Sequence, residues 1–175
     1  MRLYVVAYPR MSEKDFAWIQ EYRSKHDVRS FKLVQPHFTM VFGIHDLPPE
    51  TIIGEVGPRV RRTPIIEFEL NVATVNRDSS GESYHEFLVP ERGHAGIIRL
   101  HDQLYAGALH KYRRLDIDYI PHIGIGNHTD PQICRRRVDA LNEAGVSIPG
   151  RIESLDVIEL QDDAVRTVER IPLNA

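Results

Sequence analysis

Hydrophobic and polar residues alternate along several short segments, and in other segments apolar residues recur every three or four positions. The first pattern is typical of β-strands and the second of amphipathic helices. The alternating segments predict seven strands, Arg2–Pro9, Leu33–Ile44, Ile65–Asn76, Tyr84–Pro90, Asp116–Gly126, Arg151–Leu160 and Val165–Leu173. The last two read as a hairpin closed at Gln161-Asp162-Asp163, and Asp78-Ser79-Ser80-Gly81 predicts a turn before the strand at Tyr84.

The helical pattern appears in four segments, each with a recognisable start. Ser12, with Asp15 three residues later, opens a helix that fades near His26. Pro48-Pro49-Glu50 opens a second helix, which Gly57-Pro58 should break or kink. Gly93–Tyr112 is predicted as the longest helix, and Asp130-Pro131 opens the last one, which stops at Gly145.

The resulting order, β α β α β β α β α β β, mixes strands and helices throughout and contains no linker or low-complexity stretch. It predicts an α+β fold with helices packed outside the sheets. Two similar lobes of antiparallel sheet, placed around a central groove, account for a weak internal repeat described below. We therefore expect residues 1–175 to form a single bilobal domain.

Composition narrows the class of protein. The chain has 175 residues, of which 42% are hydrophobic and 27% charged, with a formal net charge of −3 and one cysteine, Cys134. These values exclude a disordered chain, an internal disulfide and a cysteine-rich metal site, and they argue against bulk positive charge that coats nucleic acid. The first apolar run, Leu3 to Tyr8, is too short for a signal peptide or a membrane span. The expectation is a soluble cytoplasmic protein that does not bind membranes, with a monomer favoured.

The internal repeat consists of two proline-histidine segments, about half the chain apart. Pro36-His37-Phe38-Thr39 has its counterpart in Pro121-His122-Ile123-Gly124, and each follows a strand–helix unit. Side chains alternate along a strand, so His37 and Thr39 point to one side, about 6–7 Å apart, as do His122 and Gly124. Two equivalent strands would then bring two imidazoles to one groove.

Paired imidazoles suit phosphodiester chemistry. A neutral histidine can take a proton from the attacking water or hydroxyl, while a protonated one gives a proton to the leaving oxygen. A neighbouring hydroxyl can donate to the phosphate oxygens as charge develops there, and no cofactor or metal is needed. The alternative is that each ring is only a satisfied strand residue, but the matched contexts favour a site.

This pattern resembles the two-histidine (2H) phosphoesterase superfamily, which includes the 2′-5′ RNA ligase and cyclic phosphodiesterase-like proteins. The family signature is a pair of H-x-[T/S]-x motifs, one in each lobe. The resemblance implies that His37 and His122 are the catalytic acid–base pair, with His122 as the base, and that Thr39 contacts the phosphate. It also implies a 2′,3′-cyclic phosphodiester, on a nucleotide or an RNA end, as substrate. Hydrolysis and the reverse ligation stay open.

One position departs from the family signature. Gly124 stands where the second motif usually has Thr or Ser, so one hydrogen-bond donor is missing, a loss that typically costs roughly 10²–10³ in rate. Tyr119, Asn127 or His128 could compensate, or a backbone N–H beside Gly124 could approach the phosphate. Otherwise the groove is a catalytically weak module that binds nucleotides or RNA ends, or the histidines are structural and the protein is an interaction domain.

The remaining histidines and the basic clusters give weaker evidence for a functional site. Tyr84 and His85 alternate on one strand, so one of them faces the inner side of the sheet. If the sheet forms the groove, that residue can touch substrate; the alternative is an ordinary polar residue of an edge strand. His94, His101 and His110 are spaced too widely on the predicted helix to bind a metal and are expected to be exposed or half-buried. The basic clusters are expected to be solvated helix faces; they are Arg59-Val60-Arg61-Arg62, Lys111-Tyr112-Arg113-Arg114 and Arg135-Arg136-Arg137.

Overall fold

Two antiparallel sheets, with helices packed against them, form the fold. The computed structural model describes residues 1–78 and 81–175, and the predicted turn residues Ser79 and Ser80 lie outside these ranges. The elements are β1 (Arg2–Ala7), β2 (Arg10–Met11), α1 (Glu13–His26), α2 (Val28–Leu33), β3 (Phe38–Ile44), α3 (Pro49–Val60), β4 (Ile66–Arg77), β5 (Tyr84–Pro90), α4 (His94–Leu104), a 3-10 helix (Gly107–Tyr112), β6 (Ile123–His128), α5 (Pro131–Glu143), β7 (Ile148–Ile152), β8 (Ser154–Gln161) and β9 (Ala164–Pro172). None of the described helices is both long and apolar enough to cross a membrane.

The strand order confirms the predicted α+β class with two lobes of antiparallel sheet. One sheet has the order β3-β1-β8-β9 and the other β2-β7-β4-β5-β6. The buried apolar side chains of both sheets belong to one core, in which the rings of Phe38 and Phe68 meet edge to face with centroids 5.1 Å apart. Because that core is shared, we propose that residues 1–175 form one bilobal domain.

The predicted helix starts and the closing hairpin are confirmed. The Ser12 hydroxyl accepts the backbone N–H of Asp15 at 3.1 Å, and the Asp130 carboxylate accepts the N–H of Gln132 at 2.8 Å. β8 and β9 pair across a turn in which Asp162 and Asp163 both have positive φ, as a tight two-residue hairpin requires.

Two predicted helix ends differ from the structure. α3 does not break at Gly57-Pro58 but continues to Val60, and a kink there stays a prediction. Pro58 lies on the exposed side of the helix, where water can bond the carbonyl that loses its helical partner. The long helix predicted over Gly93–Tyr112 instead ends at Leu104 and resumes as a 3-10 turn. The cause is Gly107, which takes a left-handed φ of 58°, and the Glu55 carboxylate, which accepts the Ala108 N–H at 3.2 Å.

The two histidine-bearing strands begin later than the pattern predicts. Leu33, where a strand was predicted to begin, is instead the last residue of α2, and β3 begins at Phe38; likewise β6, predicted from Asp116, begins only at Ile123. Pro36 and Pro121 lack the N–H that a sheet ladder needs, so pairing starts beyond each of them. His37 and His122 therefore occupy the same place, one residue before a strand.

Candidate active site

His37 and His122 line the same cavity, which has a volume of about 210 Å³. His37 precedes β3 in the four-stranded sheet, and His122 precedes β6 at the edge of the five-stranded sheet. The rest of the lining comes from both sheets and from the junction of α1 and α2. It comprises Arg23, Asp27, Ser30, Thr39, His85, Phe87, Gly124 and Gly126.

Both imidazoles are oriented by a backbone carbonyl two residues earlier in the chain. His37 Nδ1 lies 2.8 Å from the carbonyl oxygen of Gln35, and His122 Nδ1 lies 2.6 Å from that of Ile120. A carbonyl oxygen only accepts hydrogen bonds, so Nδ1 carries the proton in each ring. Nε2 is therefore the nitrogen that gains or loses a proton in both histidines.

The surroundings of both rings favour the neutral imidazole. The pKa of His122 is lowered to about 4, mainly by burial; the nearby His37 and His85 act in the same direction, and the Ile120 carbonyl opposes them. Burial also lowers the pKa of His37, and the Arg23 guanidinium adds to this effect. Both residues are thus able to accept a proton at neutral pH.

Thr39 and Gly124, each two positions after a histidine, contribute different groups to the cavity. Thr39 brings a hydroxyl to the lining, whereas Gly124 brings only backbone. A Cβ added at Gly124 would meet no described atom within 4 Å, so the place of the missing side chain is open space. At Gly126, in contrast, an added Cβ would come within 2.5 Å of the Glu86 carboxylate.

His85 lines the cavity, while its neighbour Tyr84 lies on the other face of β5. His85 flanks Phe87, and the two rings are stacked with centroids 5.9 Å apart. Tyr84 is one residue out of phase with them and offers its backbone carbonyl to Cys134 Sγ at 3.6 Å, on the α5 side. The structure therefore brings His85, and not Tyr84, together with the histidine pair.

Tyr119 lies in an adjoining cavity of about 460 Å³, which shares His85, Phe87 and His122 with the first. Its hydroxyl donates to the Thr39 carbonyl oxygen at 3.0 Å. Its ring is stacked on His101, with centroids 3.5 Å apart. These contacts use the hydroxyl to hold the β3 backbone beside Thr39.

The other histidines do not form a metal site. His101 is buried, against the expectation that it is exposed or half-buried, because its Nδ1 is held by the Met40 carbonyl at 2.9 Å and its ring is covered by Tyr119. His94 begins α4 and His110 lies on the 3-10 helix. Within residues 1–78 and 81–175, no group of three or more His, Cys, Asp or Glu side chains is arranged to hold a metal ion.

Five residues of the cavity are not among those predicted from the sequence: Arg23, Asp27, Ser30, Phe87 and Gly126. Arg23 lies four residues after Ile19, on the buried side of α1, and is only 1% exposed. A charged residue at a position that the helical period assigns to the core is the signal that could have identified it. Phe87 could have been found from its alternation with His85.

The basic clusters are largely paired with acidic side chains. Arg113 bonds to Asp102 at 2.7 Å, Arg135 lies 2.7 Å from Asp139, and Arg137 reaches the buried Glu86 at 3.0 Å. Arg114, which lines the adjoining cavity, is paired with Asp116. Their charges are therefore largely balanced within the protein.

Each of the two antiparallel sheets places a proline-histidine segment at one shared cavity. This arrangement is that of a two-histidine fold. The comparison with known families agrees: the model of the 2′-5′ RNA ligase superfamily matches residues 11–164. The chain belongs to this superfamily. No curated protein sequence matches it significantly.

Solved structures share the fold at low sequence identity. The crystal structure of TT0787 of Thermus thermophilus is 18% identical, with a TM-score of 0.59 over 100% of this chain and 99% of that one. Apo LigT of Escherichia coli is 15% identical (TM-score 0.56, 99% and 98% covered), and Usb1 of Kluyveromyces marxianus is 11% identical (TM-score 0.56, 98% of both chains). LigT has also been crystallised with 3′-AMP, and Usb1 with uridine monophosphate.

Proposed function

We propose that the protein is a metal-independent phosphoesterase that acts on 2′,3′-cyclic or related phosphodiesters of nucleotides or RNA ends. The observation that carries the proposal is the matched pair of imidazoles in one cavity, each with its Nδ1 proton held by a carbonyl and its Nε2 free to exchange a proton. Membership of the 2′-5′ RNA ligase superfamily supports the same chemistry. The nucleotide complexes of LigT and Usb1 support a nucleotide-type ligand here as well.

In the proposed reaction, His122 Nε2 takes a proton from the attacking water as the oxygen of that water bonds to phosphorus. The bond from phosphorus to a ribose oxygen breaks, and His37 Nε2 gives that oxygen its proton. The assignment of His122 as the base follows the resemblance to the two-histidine family, and its lowered pKa keeps the ring neutral at neutral pH. His37 must enter the step protonated, and the negative charge of a bound phosphate raises its pKa toward that state. The Thr39 hydroxyl donates to a non-bridging phosphate oxygen.

A second candidate function is binding without turnover. The missing side chain at Gly124 favours it, because the two motifs then bring one hydroxyl, that of Thr39, where the family signature brings two. In this case the groove would hold a nucleotide or an RNA end. The cytoplasmic location and the monomeric state stay predictions.

The test is hydrolysis of a panel of 2′,3′-cyclic nucleotides and of an oligoribonucleotide ending in a cyclic phosphate, with EDTA present. Wild type is compared with His37→Ala, His122→Ala and the matched control His110→Ala, whose side chain is exposed on the 3-10 helix. We expect turnover that survives EDTA, is lost in the two cavity variants and is kept in the control. No turnover on any substrate would contradict the proposed enzymatic function. Nucleotide binding in that case would support the second candidate function.

A further inference from the structure

Arg23 is a buried cation whose guanidinium borders the histidine cavity. Its Nη1 donates to Gln20 Oε1 at 2.7 Å and its Nη2 to the Val34 carbonyl at 2.8 Å, and both partners are neutral. Its Nε is buried and has no hydrogen-bond partner among the described residues. A cation that is 1% exposed, with one donor unused, is costly unless something supplies negative charge.

The carboxylate that lines the cavity together with Arg23 is hydrogen-bonded elsewhere. Asp27 also lines the cavity, but no described carboxylate forms an ion pair with Arg23 within 4 Å. Asp27 Oδ1 accepts the side-chain N–H of Asn127 at 2.8 Å, and Ser30 also hydrogen-bonds the Asp27 side chain. Burial raises the pKa of Asp27 above its usual range, while the Ser30 hydrogen bonds and the charge of Arg23 act in the opposite direction. Asp27 therefore acts on Arg23 through its charge and not through a hydrogen-bonded ion pair.

We propose that Arg23 is a substrate-binding residue whose guanidinium holds a non-bridging oxygen of the phosphate, and that it supplies the contact that Gly124 cannot make. This inference rests on the proposed function for the identity of the anion. Arg23 and Gly124 border the same cavity, from the helical side and from the β6 side respectively. A guanidinium is suited to the role because it offers several donors in one plane to phosphate oxygens and keeps its charge.

Arg23 also has a structural contact that a test must separate from phosphate binding. Its bond to the Val34 carbonyl steadies the segment that leads to Gln35, whose carbonyl orients His37. A purely structural role would therefore lower the melting temperature and the turnover number together. A phosphate contact changes the affinity for phosphate itself.

The first experiment measures binding of inorganic phosphate by calorimetry, which needs no turnover. Relative to wild type, Arg23→Met should weaken phosphate binding by roughly 10- to 100-fold, the size expected for a hydrogen bond to a charged group, and Arg23→Lys should lose less. Gln20→Ala, which removes one neutral partner and leaves the cation, should change it by less than about threefold. Arg137→Met is the matched control for lost stability, since Arg137 is partly buried against Glu86 and lies outside the cavity lining.

Equal phosphate affinity in wild type and Arg23→Met would overturn the inference. A loss of phosphate affinity in Arg137→Met as large as that in Arg23→Met would also overturn it, and so would a wild-type protein that binds no measurable phosphate. If the wild-type protein hydrolyses a cyclic phosphate but Arg23→Met keeps its KM and phosphate affinity, the inference fails and the proposed function stands. If no variant shows turnover but phosphate binding depends on Arg23, the proposed function fails and the anion site stands.

The second experiment tests compensation with a double-mutant cycle. Gly124→Thr should increase kcat/KM by a larger factor in the Arg23→Met background than in the wild type, because the added hydroxyl then replaces a lost donor. The same factor in both backgrounds would show that the two positions act independently and would overturn the compensation.

Discussion

The ring of Phe87 lies flat against the ring of His122, with centroids 3.5 Å apart and planes inclined by 15°. An apolar ring in this position removes water from one face of the imidazole, and it does so at the histidine whose pKa is lowered to about 4. The phenyl ring offers the imidazole no polar hydrogen-bond partner, so its effect is one of desolvation, which disfavours the charged form.

Replacement of Phe87 by leucine should therefore raise the pKa of His122 from about 4 toward the usual histidine value near 6.5. NMR titration of the imidazole Cε1–H signals measures the change directly. Because the proposed base must be neutral, the acidic limb of the pH–rate profile should move to higher pH. Phe42→Leu is the control, since its ring neighbours Tyr119 and His101. An unchanged titration in Phe87→Leu would show that the stack does not set the pKa.

Substitution of Gly124 by threonine should increase turnover. The position is open, since a Cβ there meets no described atom within 4 Å, and a hydroxyl would restore the second donor to the phosphate. We expect kcat/KM to rise by less than about tenfold, below the usual worth of such a donor, because Arg23 already supplies part of the contact. Steady-state kinetics on a 2′,3′-cyclic nucleotide measures it.

Gly126→Thr is the matched control on the same strand. Its side chain would collide with the Glu86 carboxylate, so this variant should lose stability and gain no activity. If Gly124→Thr folds and binds phosphate but turns over no faster than wild type, then the backbone or Arg23 already supplies all that the missing side chain would give.

Stability should fall as the pH drops from about 6.5 to about 4. The folded state holds His122 with a lowered pKa, whereas the unfolded chain binds a proton at the usual value, so the unfolded state takes up more protons in this window. The full contribution of His122 to stability is present above pH 6.5 and is lost as the pH falls through about 4; for this one group it is about 3 kcal/mol. Urea unfolding of wild type and His122→Gln at several pH values measures it.

The comparison isolates the histidine, because carboxylates that titrate at the same time contribute equally to both proteins. The wild type should lose more stability than His122→Gln over this range. Parallel losses would contradict the lowered pKa.

Removal of Arg137 should destabilise the fold. Glu86 is fully buried and depends on Arg137 at 3.0 Å and on the Tyr22 hydroxyl at 2.8 Å, so Arg137→Met leaves a buried carboxylate short of a partner. The expected cost is about 3 kcal/mol. Arg135→Met, two residues earlier on α5, breaks an exposed pair with Asp139 and should cost less than about 0.5 kcal/mol. Equal denaturation midpoints for the two variants would rule out this account.

Features that depend on nearest neighbours could be predicted from the sequence. Ser12 and Asp130 cap helices through the backbone N–H of a residue two or three positions away, and the Asp162-Asp163 turn is fixed by local φ values. The paired histidine segments could be found for the same reason, since the motif and its proline are contiguous.

Features that depend on distant partners could not be predicted. The helix ends at Leu104 because Glu55, some fifty residues earlier, takes the Ala108 N–H. The sequence makes Tyr119 a candidate for the phosphate, but its hydroxyl is taken by the Thr39 carbonyl. Nothing in the local sequence around either residue specifies these contacts.

The sequence by itself thus determined the α+β class, the two proline-histidine segments and the missing side chain at Gly124, because alternation, turn chemistry and residue identity are local properties. Only the tertiary structure decided that both histidines border one cavity, that Phe87 covers His122 and that the α1 side of the cavity holds the buried Arg23. The physical reason is that proton affinity and charge in the cavity depend on burial and on neighbours, and packing alone brings those neighbours together.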